Sequence, residues 1–161
     1  KLGAVYVYPF DTDEFGTALD GAVFGAFAGL GFATAENALY IATEGLLGGG
    51  GLETVIGRAG VAPAHVMWTS IAGYYLGLAY VTEEYAGVLV LKGLVTVAVL
   101  HGTYNTFMTY APLATGIEPS SVGVQVANLL FLLVFYGGVG YLLHTLIRRY
   151  RRAEEEVGVR R

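Results

Sequence analysis

Four long apolar runs, separated by short polar or glycine- and proline-rich breaks, set the pattern of this chain. Such runs are long enough to cross a hydrocarbon core of about 30 Å as helices, with some tilt. They predict helices near 19–47, 62–81, 86–110 and 122–147. Residues 48–51 form a glycine break after the first, and 52–58 read as a short interfacial segment with Arg58 at the boundary. Pro63 falls in the first turn of the second helix, where proline is tolerated. Residues 82–85 form a tight acidic turn, and 111–121, with Pro112 and Pro119, a loop. Residues 1–10 are apolar but short and end near Pro9, so they read as the tail of an earlier helix, followed by a solvated loop at Asp11, Asp13 and Glu14.

The fold class expected is therefore all-α: a polytopic membrane protein, a bundle of about four transmembrane helices. The whole of 1–161 forms one helical domain in this reading, and 148–161 a soluble, mobile tail. Small residues mark the packing faces. Gly21, Gly25 and Gly29 recur every four residues, with Ala22 and Ala26 beside them. His65, Thr69, Gly73 and Gly77 share one side of the second helix, a polar end that grades into a smooth strip.

Composition sharpens this picture. The chain is 55% hydrophobic and 14% charged, with a mean hydropathy of +0.57, values that exclude an ordinary soluble domain. The 24 glycines lie largely inside apolar runs, as in packed membrane helices. Without cysteine there is no disulfide and no thiolate metal site. A net charge of −4, carried mainly by loop and tail acids, gives no sign of a nucleic-acid partner; the partner implied is membrane lipid. Arg148, Arg149, Arg151 and Arg152 follow the last helix, which places the C-terminus in the cytoplasm and makes this an integral, multi-pass cell-membrane protein. The first interhelical connection and the 111–121 loop then lie outside. No cleavable signal peptide is visible, and the start at Lys1 reads as that of a trimmed or processed chain.

The candidate chemistry is polar matter inside these runs. Glu36 stands alone among charges between Asp20 and Glu44. A carboxylate at that depth is costly in lipid and is a functional hypothesis by default. In the expected topology Glu36 lies roughly 16 Å from the outer end of its helix at the usual rise. His65, His101 and Asn105 fall in the same leaflet. A carboxylate, two imidazoles and an amide can bind a divalent metal, activate a water, or both. The plainer readings are a headgroup-facing His65, a core His101 and an Asn105 that bonds helices together. Lys92 reads as a snorkelling side chain and His144 as incidental.

Three stretches carry a resemblance. GLGFATAENALY, the spacing R-x6-H-x3-T-x3-G-x3-G from Arg58 to Gly77, and HGTYNTF from His101 resemble, in order, the motifs of the PrsW family. That family groups with CAAX prenyl proteases and bacteriocin-immunity proteins in a glutamate-dependent superfamily. The resemblance implies a membrane-embedded peptidase that cuts a transmembrane protein substrate, such as an anti-sigma factor, on its extracytoplasmic side. It places the family's Glu-Asn pair on Glu36 and Asn37, its second-motif histidine on His65, and its HxxxN on His101 and Asn105. One variant of the mechanism sets zinc or another divalent metal on Glu36, His65 and His101. In the other, an upstream glutamate, helped by His65 and Glu36, activates a water while His101 and Asn105 steady the oxyanion. The family also has a glutamate pair followed two residues later by lysine. That lysine falls at or near Lys1, so the paired glutamates lie upstream, and the chain by itself is expected to be inactive. Two rival readings are a non-catalytic scaffold or immunity-type module on the same fold, and a small ion or proton transporter.

Overall fold

The structure is a computed structural model and describes residues 16–46, 51–110, 116 and 121–159. The expectations for 1–10, for the acidic loop before residue 15 and for most of 111–121 lie outside the described residues. Among the described residues there are four long helices: α1 Ala18–Leu46, α2 Leu52–Val81, α3 Ala86–Asn105 and α4 Val122–Val159. A 3-10 turn, Glu83–Tyr85, joins α2 to α3, and a π-helical turn, Thr106–Tyr110, follows α3. No strand occurs among the described residues. The architecture is all-α.

Helices α1, α3 and α4 are long and apolar enough to cross a membrane, and the chain is an integral membrane protein. The helix expected at 62–81 is the C-terminal part of α2, which takes in 52–58 as well and carries Pro63 inside it. Its polar side chains lower its hydropathy, but they do not face lipid: His65, Thr69 and Ser70 are buried with Ala64, Trp68, Ile71, Tyr74, Tyr75 and Leu76. A helix sheathed by protein can hold polar groups that a lipid-facing helix cannot. In contrast, Val88, Leu91, Val95 and Val99 of α3 and Leu133 and Val134 of α4 are exposed, as suits side chains that meet acyl chains.

Two compact units make up the chain, Lys1–Leu94 and Val95–Arg161. In the first, α1 and α2 pack antiparallel with backbones in contact. A Cβ added at Gly21 would run into the Gly73 carbonyl, one at Gly25 into that of Thr69, and one at Gly29 into that of His65. The reverse holds too: a Cβ at Gly73 would strike the Gly21 carbonyl, and one at Gly77 would lie 2.7 Å from the carbonyl oxygen of Thr17. The two small-residue strips thus face each other, and each step of four along α1 meets a step of four back along α2. The start of α3 joins this unit. Gly93 sits against the Tyr75 ring, where a Cβ would lie 2.8 Å from the tyrosine Cβ. Leu76 packs with Phe24, Ala28 and Val90. The Lys92 ammonium lies 5.3 Å from the centre of the Tyr75 ring, a cation–π contact that reading it as a snorkelling residue did not include.

In the second unit an aromatic cluster ties the end of α3 to α4. Phe107 stacks on Phe131 at 4.0 Å, Phe131 on Phe135 at 5.2 Å, and Tyr104 lies 5.8 Å from Phe135. The helix expected to run to residue 110 is regular only to Asn105, then widens into the π turn. Such turns recur at functional sites. Helix α4 passes its expected end near 147 and continues to Val159. Nothing in RRYRRAEEE breaks a helix, and Arg151 and Arg152 stand four residues before Glu155 and Glu156, the spacing that supports one.

Candidate active site

The register of α1 against α2 also decides what meets Glu36. Gly29 lies on the His65 backbone. Seven residues on from Gly29 is Glu36, and seven residues back from His65 is Arg58. Seven residues are close to two helical turns, so each pair keeps one face. Glu36 and Arg58 are brought side by side where the glycine strip gives way to larger groups.

The contacts follow from that placement. Arg58 Nη2 donates to Glu36 Oε2 at 2.5 Å. Arg58 Nε donates to Asn37 Oδ1 at 3.0 Å, and Asn37 Nδ2 donates in return to the Arg58 carbonyl at 3.3 Å. The guanidinium lies over the Tyr40 ring, 4.0 Å from its centre. His65 Nε2 stands 3.0 Å from the same Glu36 Oε2. Its ring is 1% exposed, against 25% for the Glu36 side chain and 19% for Arg58. Phe32 and Trp68 flank the imidazole at 5.2 and 5.4 Å between ring centres.

One carboxylate oxygen is thus shared by a guanidinium and an imidazole. Arginine stays protonated in proteins and an ionised carboxylate only accepts, so the hydrogen between Glu36 and His65 belongs on Nε2. A histidine held this way has a fixed ring orientation and tautomer, as a general base needs. The guanidinium supplies the opposite charge without which a carboxylate in this span would be strongly unfavourable.

Glu36, Asn37 and His65 are therefore together in the first unit. His101 and Asn105 stand one turn apart at the end of α3, in the second unit. His101 is half-buried and Asn105 exposed, and the aromatic packing of Tyr104 and Phe107 anchors their segment. Arg58 opens the second stretch that carries the family resemblance, but sequence reasoning placed it at a boundary and left it out of the site.

The sequence profile described as "PrsW family intramembrane metalloprotease" matches residues 1–137. The chain belongs to the PrsW family. Among its relatives is a protein named protease PrsW from Halalkalibacterium halodurans, 32% identical over 109 residues, which cover 67% of this chain and 48% of that one. The protease PrsW of Bacillus subtilis is 37% identical over 107 residues, 65% of this chain and 45% of its own. That of Clostridioides difficile is 42% identical over 64 residues, 39% and 26% of the two chains. The chain spans about half the length of the first two relatives. No solved structure matches it.

The PrsW family's description as metalloproteases calls for a metal, and the described residues do not fit one as they stand. No group of three His, Asp or Glu side chains able to hold an ion occurs among them. At Glu36 the charge is already met by Arg58, and a guanidinium on the same oxygen repels a dication. No step below is routed through a metal.

Proposed function

We propose that the chain forms part of an intramembrane endopeptidase, and that the paired Glu36 and His65 belong to its hydrolytic machinery. The observation that carries this reading is a nearly inaccessible imidazole hydrogen-bonded to a carboxylate inside a membrane span, in a chain of the PrsW family. His65, oriented by Glu36, helps a glutamate of the site withdraw a proton from a water as that water attacks the peptide carbonyl. The substrate is a membrane-anchored protein of the anti-sigma-factor kind, cut toward its extracytoplasmic side.

The arginines at the foot of α4 support a cytoplasmic C-terminus. A cysteine introduced at Ala153, in a sequence that has none of its own, should react with an impermeant reagent only after cells are opened. Labelling of intact cells would reverse this orientation.

The function is tested with the protein that carries this sequence, reconstituted in liposomes with a single-span reporter substrate. We expect cleavage by the wild type and a loss of roughly 100-fold or more in His65→Ala, with no proton or ion flux in either. Full cleavage by His65→Ala would remove His65 from the reaction. Flux without cleavage would favour a transporter.

A further inference from the structure

We propose that Arg58 is the positioning residue of the Glu36–His65 pair, acting through its two-pronged hold on α1. This rests on the proposed role of that pair and adds a residue to it.

Three features separate Arg58 from a boundary arginine that merely reaches for headgroups. First, the guanidinium binds two adjacent residues of α1 through different nitrogens, Glu36 through Nη2 and Asn37 through Nε. A planar fork with fixed donor directions sets the angle of what it holds, as a lysine ammonium does not. Second, the hold is returned: Asn37 donates to the Arg58 carbonyl, so side chain and backbone of one residue are both fastened to α1. Third, the far face of the guanidinium is covered by Tyr40, one turn beyond Glu36 on α1. Glu36, Asn37 and Tyr40 thus form a receptor for a single arginine.

The consequence falls on His65. Arg58 and His65 contact the same oxygen of Glu36. Fixing the carboxylate from one side therefore fixes where the imidazole can donate on the other. With the fork in place, Oε2 is aimed at Nε2. With the fork removed, the carboxylate is free to rotate away, and nothing in the pair then holds the proton on Nε2. Arg58 touches neither water nor substrate in this scheme; it acts through Glu36.

The test uses the full protein carrying this sequence, with 15N-labelled histidine, as wild type, Arg58→Gln and Arg58→Lys. The His65 ring signals are assigned by their loss in His65→Gln. The wild type should show one His65 species with the proton on Nε2. Both variants should show a mixture of tautomers, Arg58→Gln more than Arg58→Lys. Turnover of the reporter substrate should fall roughly 100-fold in Arg58→Gln and about tenfold in Arg58→Lys, with KM changed less than about threefold, as expected when geometry and not binding is lost. Wild-type ring signals in both variants, or turnover within about twofold of wild type, would overturn the assignment. Should Arg58→Gln fail to fold, Arg58→Lys decides by the same criteria, since it keeps the charge and removes only the fork. The ring signals need no activity, so the two readings can fail separately. Full turnover in Glu36→Gln and His65→Ala would remove the catalytic role of the pair, and unmoved ring signals would remove that of Arg58.

Discussion

At the scale of single residues, Asn37 shows why the site was only partly readable. A carboxylate and amide in an apolar run are visible in the sequence, and the cost of burying them announces a purpose. What the amide does is not visible, because its partner lies 21 residues away on another helix. Arg58 read as a boundary residue for the same reason: a single arginine after a glycine break fits that role equally well. Two clues were legible: Arg58 opens the R-x6-H stretch that carries the family resemblance, and its spacing repeats one on α1. Arg58 stands as far before His65 as Glu36 stands after Gly29, a match that becomes informative once the two strips are known to face each other. Asn37→Ala would remove both bonds to Arg58 and leave its guanidinium short of an acceptor. Thermal or denaturant unfolding in detergent should show a loss of about 1–3 kcal/mol. An unchanged midpoint would mean that Arg58 finds an equivalent partner in the membrane interface.

Among the helices, the apolar runs gave their number and places because lipid dictates both length and composition of a span. Their ends were less legible. Helix α2 absorbs the segment expected to be interfacial, and α4 continues through the charged stretch, since local propensity there favours helix over a stop. The two small-residue strips were readable as packing faces, but not as each other's partners. Their contact makes a sharp contrast between two glycines of α1. Gly25 abuts the Thr69 carbonyl, while Gly31 has nothing within 4 Å of where a Cβ would go. Gly25→Ala must push the helices apart and should cost about 1–3 kcal/mol by overpacking. Gly31→Ala should be neutral or stabilise by up to about 1 kcal/mol, through helix propensity. The comparison is made by measuring both unfolding midpoints in one detergent. Equal effects would mean that α1 and α2 do not meet along the strip.

For the molecule as a whole, burial accompanies polarity, and exposure accompanies the most apolar spans. The most enclosed helix, α2, carries the buried polar side chains His65, Thr69 and Ser70, while the apolar α3 and α4 present broad exposed faces. That distribution suits a protein that works inside a bilayer, where lipid replaces the water a soluble fold would meet and polar groups must find one another within protein. The central claim is that Glu36 and His65 act as one unit in peptide hydrolysis. The most direct test is a double-mutant cycle on the turnover of the reconstituted protein, with Glu36→Gln, His65→Ala and the two together. The account predicts that each single change lowers turnover by roughly 100-fold and that the double change lowers it scarcely further, as for residues acting through one shared step. Losses that multiply in the double variant, or single variants within about threefold of wild type, would contradict it.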